Sequence, residues 1–342
     1  MKTDTKPLPK AGKAVALLSG GLDSTLAVKM MLEQGVEVTA LNFVTPFCNC
    51  NRHGRCESKQ VADRFGFPLK IISGAEDYLK VIRHPRYGYG KNMNPCLDCR
   101  IFMYKKAREY MDEIGAAFVF TGEVLGQRPM SQRMDAMNLV ERESGLSGRM
   151  LRPLSAKLFS RTSMEEEEIV DRERLGSIQG RSRKEQMSMA RDFGIVDYAC
   201  PAGGCLLTDK AFAGRLRDLF NHQKEVKVPD VLLLKVGRHF RAAPGVKIVV
   251  GRNEMENKRI EQLSRERDIR FTVKDIPGPL TLIRGEGIDD TLKVLAAGIS
   301  ARYSDFEGDG EVEVEYADFS GKLQEVLSVS IPDETILKKI IL

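Results

Sequence analysis

Four features are missing from this 342-residue sequence, and each absence excludes a class of protein. No apolar run is long enough to span a bilayer, and residues 1–12 form a polar lead-in rather than the apolar core of a secretion signal. The sequence therefore predicts a cytoplasmic protein with no membrane partner. The Gly-x-x-x-x-Gly-Lys-[Ser/Thr] spacing of a Walker loop is absent, as is the Gly-x-Gly-x-x-Gly fingerprint of a dinucleotide-binding turn.

What is present is the composition of an ordinary globular chain, 30% charged and 42% hydrophobic. The length exceeds what one typical core supports, so we expect two domains. In a cytoplasmic chain, seven cysteines favour metal, cluster or sulfur chemistry over disulfides, and the grouping of the cysteines in the sequence supports this.

The net charge of +5 is unevenly distributed along the chain. Residues 211–342 hold 21 Lys and Arg against 22 Asp and Glu, so the positive excess lies within residues 1–210. A mildly basic first part suits a polyanionic partner but does not establish one.

The most informative stretch follows a short apolar run at residues 14–17. Two adjacent glycines precede a helical pattern, which predicts a strand, a tight turn and a helix start. The glycines permit positive φ and close approach of a ligand, and the unpaired amides of a helix's first turn suit a phosphate. The residues of this loop are Leu18, Ser19, Gly20, Gly21, Leu22, Asp23 and Ser24.

This loop resembles the Ser-Gly-Gly-x-Asp-Ser loop of the PP-loop ATP pyrophosphatases, which adenylate a carbonyl or carboxyl oxygen and release pyrophosphate. The alternative is an ordinary Gly-Gly turn before a helix. The resemblance implies that the loop binds ATP and that Asp23 has a catalytic role in placing Mg²⁺. The nucleotide-binding residues that it implies in the loop are Ser19, Gly20, Gly21, Leu22, Asp23 and Ser24.

Helical and strand patterns alternate after the loop, which predicts a parallel sheet. The predicted helices are 24–34, 57–65 and 184–193, and the predicted strands are 36–43, 68–72 and 116–121. With the PP-loop resemblance, this gives an α/β fold of the adenine-nucleotide alpha-hydrolase type, with helices on both faces of the sheet.

Three further residues are assigned to the nucleotide site. Gly122 follows a strand at the sheet edge where open α/β sheets bind ligands. Lys157 and Arg183 are candidate cations for the ATP phosphates. For the segment around Arg183, a solvent-facing charged helix and contact with an RNA backbone are alternatives.

A loop-like segment carries Cys48, Cys50, His53 and Cys56 within nine residues. Four such ligands could close a tetrahedral Zn²⁺ site, although Cys-x-Cys spacing is less usual than Cys-x-x-Cys. The alternative is an exposed, reactive loop without metal.

A Cys-x-x-Cys pair, Cys96 and Cys99, precedes a pattern of helical period. We expect the pair at a helix N-terminus, where the macrodipole and free amides favour thiolate over thiol. Further along, Cys200 and Cys205 flank a turn that contains two glycines. Spacing alone does not show whether Cys205 meets the pair.

Residues 13–210 resemble the tRNA-thiolating branch of PP-loop enzymes. The Asn94-Pro95-Cys96 motif is similar to that of the tRNA-uridine 2-sulfurtransferases, and Cys205 falls where their second essential cysteine lies. The resemblance implies tRNA as a partner, sulfide or a persulfide carrier as sulfur donor, and catalytic roles for Cys96 and Cys205.

The resemblance allows two schemes for the sulfur. In one, Cys96, Cys99 and Cys205 ligate a [4Fe-4S] cluster that keeps one iron open. In the other, one of Cys96 and Cys205 carries a persulfide and the other resolves it as a disulfide. Cys99 favours the cluster, because the two-cysteine scheme leaves this residue unexplained.

The remainder of the chain is predicted to be a linker at 211–228 and a smaller α+β domain at 229–342. The expected strands are 231–236, 246–250 and 281–283, and the expected helices are 254–264 and 289–299. This domain resembles the RNA-binding domain of the NFACT proteins. Residues 235–259 carry seven Lys or Arg against two Glu, so one face could meet RNA phosphates; charges that merely solvate the domain are the alternative.

The leading hypothesis is ATP-dependent thiolation of a tRNA base, with uridine as the expected base. A second is thiolation or amidation of a small molecule, for which the C-terminal domain would be superfluous. A third is an RNA-binding module with a vestigial ATP site, against which the intact loop at residues 19–24 argues.

Overall fold

A computed structural model describes residues 12–48, 57–196, 198, 205–308 and 310–342. The chain divides into two compact units, Met1–Thr208 and Asp209–Leu342. Within the described ranges, no helix is both long and apolar enough to cross a membrane.

The first unit alternates strands and helices. Its strands are β1 Lys13–Leu17, β2 Glu37–Val44, β3 Leu69–Ser73, β4 Phe118–Thr121 and β5 Met150–Leu151. Its helices are α1 Leu22–Leu32, α2 Glu57–Phe65, α3 Ala75–Arg83, α4 Cys96–Glu113, α5 Met134–Ser144, α6 Ser163–Glu166 and α7 Lys184–Asp192.

The five strands form one parallel sheet in the order β3-β2-β1-β4-β5. The connections run outward in one direction from β1 and in the other from β4, so the order reverses between these two strands. Ligands of open α/β sheets bind at such a reversal, beyond the carboxyl ends of the strands. This places the candidate site after Leu17 and Thr121.

Helices cover both faces of the sheet, as predicted. Val15 packs on one face with the buried side of α4, including Tyr104. Ala14 and Ala16 point to the other face, where α1, α2 and α7 pack. Because side chains alternate along a strand, β1 contributes to both cores and is buried from both sides.

The second unit is built on an antiparallel sheet in the order β11-β10-β8-β9-β7-β6. Its strands are β6 Arg238–Ala243, β7 Val246–Val250, β8 Ile269–Val273, β9 Thr281–Gly285, β10 Val312–Asp318 and β11 Leu323–Val329. Its helices are α8 Lys210–His222, α9 Val228–Leu233, α10 Glu254–Gln262, α11 Asp290–Arg302 and α12 Glu334–Ile340.

Two expectations for the second part differ from the structure. Residues 231–236, predicted as a strand, lie largely in α9, because Pro229 and Asp230 begin a helix and Leu233 packs on the sheet. Residues 211–228, predicted as a linker, contain most of α8, whose buried Phe212, Leu216 and Leu219 follow helical spacing.

The helical assignment of α8 can be tested at Gly214. A Cβ added there meets no atom within 4 Å. Because glycine costs about 0.5–1 kcal/mol relative to alanine in a helix, Gly214→Ala should raise the free energy of unfolding by that amount in urea denaturation. The contrasting variant is Gly285→Ala, at φ +155° with a Cβ 2.2 Å from the Gly245 carbonyl oxygen, which should destabilise. A loss of stability in Gly214→Ala would contradict the helix.

Candidate active site

The loop after β1 is held by close backbone packing. Gly20 has φ +80°, and a Cβ there would lie 2.7 Å from both the Glu57 Cβ and the Ser58 amide nitrogen. The start of α2 therefore leaves room for glycine alone. Positive φ and this contact together explain the Gly-Gly pair of the sequence.

Hydroxyl groups shape the turn from inside. Ser24 Oγ donates to the Gly21 carbonyl oxygen at 2.9 Å and lies 3.2 Å from Ser19 Oγ. Thr25 Oγ1 donates to the same carbonyl at 3.1 Å. The first-turn amides of α1 have no acceptor within their own helix, so the loop presents donors suited to phosphate.

Gly122 brings the end of β4 against this first turn. A Cβ on Gly122 would lie 2.4 Å from the Asp23 carbonyl carbon and the Ser24 amide nitrogen. Any side chain at position 122 would push the strand end and the helix start apart. The contact joins the two strand ends at which the sheet order reverses.

Asp23 collects polar partners from distant parts of the chain. Gln127 Nε2 donates to Asp23 Oδ2 at 3.2 Å, and Arg183 Nη2 lies 3.5 Å from the same oxygen. Asp23 Oδ1 and Arg183 Nε are buried and have no hydrogen-bond partner in the structure. A buried carboxylate oxygen without a donor suits a hard cation such as Mg²⁺, and the loop therefore fits a metal-bound nucleotide.

The two predicted cations occupy different surroundings. Arg183 joins Asp23, as described above. Lys157 instead donates to the Glu173 carbonyl oxygen at 3.0 Å and lies 3.4 Å from its carboxylate. Among the described residues, the hydrogen bonds and ion pairs of Lys157 do not reach the loop at residues 19–24.

Three separate segments meet at the cysteines. The Leu206 amide donates to the Phe47 carbonyl oxygen at 3.1 Å, and the Met93 amide donates to the Leu207 carbonyl oxygen at 3.1 Å. Asn92 Nδ2 adds a bond to the Thr208 carbonyl oxygen at 2.7 Å. The segments that bear Cys48, Cys96 and Cys205 are therefore hydrogen-bonded to one another.

Cys96 and Cys99 lie in the first turn of α4, as the sequence predicts. The expectation of a stabilised thiolate is wrong. Burial raises the pKa of Cys96, the pKa of Cys99 to about 11 and the pKa of Cys205 to about 12. Desolvation thus outweighs the helix dipole, and Arg100 and Arg128 offset only part of it at Cys96.

A buried ion cluster joins α4 to the sheet edge. Arg100, directly after Cys99, lies 2.9 Å from Glu123 Oε1, and Arg152 Nε lies 3.6 Å from Glu123 Oε2. The Tyr104 hydroxyl donates to the same carboxylate. Burial raises the pKa of Glu123, but Arg100 and Arg152 outweigh it and hold the pKa below its usual value.

Arg128 connects the thiols with the nucleotide loop. The pKa of Arg128 is lowered, first by partial desolvation and then by repulsion from Arg100, while Cys96 and Asp23 both raise it. Its guanidinium therefore acts electrostatically on both groups. Arg128 follows Gln127, which itself contacts Asp23.

The thiols suit an iron–sulfur cluster, which takes soft thiolate ligands. Cys48, Cys96, Cys99 and Cys205 lie on segments that are hydrogen-bonded to one another. Among the residues that the structure describes, no three His, Cys, Asp or Glu side chains are placed to hold one metal ion. Of the predicted Zn²⁺ ligands, Cys50, His53 and Cys56 lie outside the described residues, as does Cys200.

Several residues of the site were not assigned from the sequence. Arg100 and Tyr104 lie four residues apart on α4, and this spacing puts them on one helix face. That spacing was the available signal. The pairing of Arg100 with Glu123 and of Arg183 with Asp23 depends on tertiary contacts that no local pattern carries.

Comparison with known families confirms both resemblances. Residues 10–174 match the family described as "Thiamine biosynthesis protein (ThiI)". Residues 237–340 match the "NFACT protein RNA binding domain".

Curated relatives extend the comparison. A probable tRNA sulfurtransferase of Thermococcus kodakarensis is 31% identical over 169 residues, which are 48% of this chain and 41% of the relative. The tRNA-specific 2-thiouridylase MnmA of Pseudomonas aeruginosa is 26% identical over 146 residues, 40% of this chain and 39% of the relative. The chain thus spans about two fifths of the length of these relatives.

One solved structure is the U34-tRNA thiolase NcsA from Methanococcus maripaludis with its [4Fe-4S] cluster. It is 16% identical, the match covers 67% of this chain and 74% of that chain, and the TM-score is 0.36. A similarity of this size places none of its features on the present chain.

The first prediction from the site concerns Gly122. Gly122→Ala should lower the free energy of unfolding by about 1–3 kcal/mol, because the new methyl overlaps backbone that has no free rotamer to yield. Chemical denaturation measures the loss. The control is Gly310→Ala, where a Cβ meets no atom within 4 Å. Equal stability of the two variants would rule out the close approach.

The ion pairs of Glu123 can also be tested by mutation. Glu123→Gln leaves the buried Arg152 and the partly buried Arg100 short of their counter-charge and should cost about 3–5 kcal/mol at neutral pH. Because the folded-state pKa of Glu123 is lowered, its contribution is present above the unfolded pKa of about 4.3 and is lost as pH falls. The variant should therefore lose less stability than wild type on acidification.

The control for this measurement is Glu143→Gln, which removes a pair whose Arg86 side chain is 72% exposed. It should cost less than about 1 kcal/mol. Similar losses in both variants would show that the buried cluster has no special role.

Proposed function

We propose that the chain is an ATP-dependent tRNA sulfurtransferase of the cytoplasm. It adenylates a base carbonyl oxygen, most simply that of a uridine, and replaces the oxygen with sulfur while releasing AMP and pyrophosphate. The observation that carries the proposal is the link between the nucleotide loop and the thiols: Gly122 lies against the Asp23–Ser24 peptide of the loop, and the next residue, Glu123, lies 2.9 Å from Arg100, which directly follows Cys99. The names of the Thermococcus and Pseudomonas relatives support a thiolation reaction.

In the first step the base carbonyl oxygen attacks the α-phosphorus of ATP, and pyrophosphate leaves. The first-turn amides of α1 receive the phosphates, and Arg183 offsets the charge that develops on the leaving group. Asp23 Oδ1 would hold Mg²⁺, which supplies further charge neutralisation when bound.

In the second step a sulfur nucleophile attacks the base carbon, and AMP leaves with the former carbonyl oxygen. Arg128, which follows the Asp23 partner Gln127, would offset the negative charge of the departing phosphate. Cys96, Cys99 and Cys205 would hold a [4Fe-4S] cluster, which supplies a Lewis-acidic iron site for sulfide.

The second unit would bind the tRNA, although its basic stretch is largely neutralised internally. Arg241 pairs with Asp218, Arg252 pairs with Glu256, and Lys258 pairs with Glu254. Lys247 is buried.

Arg238 offers a different feature. Its guanidinium lies over the Tyr303 ring, 4.4 Å from the ring centroid. Stacked planes of this kind are what single-stranded bases pack against. We therefore assign RNA contact to stacking at this pair rather than to the whole basic stretch.

Activity and ATP binding should separate by mutation. Cys96→Ala, Cys99→Ala and Cys205→Ala should each reduce tRNA thiolation to background, while the Kd for ATP stays within about twofold, because the hydrogen bonds of these three thiols within the described part of the chain do not involve residues 19–24. Thiolated nucleosides are quantified by mass spectrometry after tRNA digestion, and ATP binding by calorimetry.

The matched variant is Asp23→Asn, which should lose AMP formation but keep any bound iron. Full activity of Cys99→Ala without bound iron would refute the cluster. Pyrophosphate release that does not depend on tRNA would favour a small-molecule acceptor, and no release at all would favour an RNA-binding module.

A further inference from the structure

Cys48 lies on a segment that is hydrogen-bonded to the segment bearing Cys205. The Phe47 side chain is fully buried, and its carbonyl oxygen accepts the Leu206 amide at 3.1 Å. Because Cys48 follows Phe47 and Cys205 precedes Leu206, this one hydrogen bond places the two cysteines on neighbouring segments of the chain. The bond lies between groups that are 159 residues apart, so nothing in the local sequence indicates it.

A second path joins Cys48 to the thiols of α4. The Phe47 and Tyr78 rings are in contact, with centroids 6.0 Å apart. The Tyr78 hydroxyl donates to Cys99 Sγ at 2.8 Å. Cys48 and Cys99 thus flank one buried aromatic pair.

Three thiol ligands leave one iron of a four-iron cluster without a protein ligand. Cys48 is the additional sulfur that the structure brings to the other three. Its sulfur also lies 3.1 Å from Thr45 Oγ1. A hydroxyl that donates to a thiolate withdraws charge from the sulfur and weakens it as a ligand. Tyr78 does the same at Cys99, but Cys99 is fixed in the first turn of α4, whereas Cys48 lies outside any helix or strand and can leave a metal without unwinding one. Cys48 therefore has the placement of a ligand and the chemistry of an exchangeable one.

We propose that Cys48 ligates the fourth iron in the resting protein and is displaced by the incoming sulfide. The exchange is not a redox reaction: hydrogen sulfide gives a proton to the departing Cys48 thiolate and binds as hydrosulfide. The inference rests on the cluster of the proposed function. It assigns to Cys48 a gating role that the three-ligand arrangement lacks.

The test uses the full-length chain, purified and reconstituted without oxygen, as wild type, Cys48→Ala, Cys48→Ser and Thr45→Val. Iron and acid-labile sulfide are measured first, and all four proteins should hold a complete cluster. Sodium sulfide is then titrated while the visible absorption and the low-temperature EPR spectrum of the reduced cluster are followed.

The Cys48 thiol is tethered to the protein, so it competes with sulfide for the iron at an effective concentration near millimolar. Removing it in Cys48→Ala should therefore lower the apparent Kd for sulfide about tenfold or more. Cys48→Ser should fall between this variant and wild type. Thr45→Val, which strengthens the Cys48 ligand, should raise the apparent Kd. Mild ferricyanide should remove one iron from Cys48→Ala before it does so from wild type.

Identical sulfide titrations and identical ferricyanide sensitivity of wild type and Cys48→Ala would overturn the inference while the proposed function stands. A wild-type protein that holds no iron would refute the cluster of the proposed function, and this inference with it. If the wild-type protein instead holds a single zinc ion that Cys48→Ala loses, Cys48 is a permanent ligand of a four-thiol zinc site, and the inference is wrong.

Discussion

The arrangement of the first unit depends on one backbone contact, the approach of Gly122 to the Asp23–Ser24 peptide. Strand β4 and helix α1 can lie this close only because no side chain intervenes. The contact brings the ends of two parallel strands together at the reversal of the sheet order. The residues that follow β4, including Glu123 and Gln127, are positioned by this contact.

Glu123, the residue after Gly122, links this backbone contact to the ion pairs of the site. It anchors Arg100 at the start of α4, and Arg152 reaches it from beyond β5. Since Arg100 follows Cys99 directly, the carboxylate that pairs with buried Arg152 and partly buried Arg100 also fixes the turn that bears Cys96 and Cys99. The loop at residues 19–24 and this turn are therefore linked through two successive residues, Gly122 and Glu123.

The sequence predicts the parts of this edge whose signals are local. A glycine pair before a helical pattern and a Cys-x-x-Cys before another one suffice to place the loop and α4. Burial is not local, which is why the thiol pKa values move opposite to the helix-dipole expectation. The error at α9 has the same cause. Its apolar run predicts a strand, and the helix follows only from Pro229 and the packing of Leu233. The partners of Asp23, and of Lys157, also required the tertiary structure.

The order of the thiols along the chain has a consequence in time. Cys96 and Cys99 belong to α4, and all five strands of the sheet precede Cys205 in the chain. At about 5–20 residues per second, the ribosome needs roughly 3–10 s to proceed from Leu151, where the last strand of the sheet ends, to Cys205. A nascent chain can thus form its sheet and bury α4 before the segment that bears Cys205 is made. The segment that bears Cys205 therefore joins Cys96 and Cys99 last, and a cofactor can enter before this segment is in place.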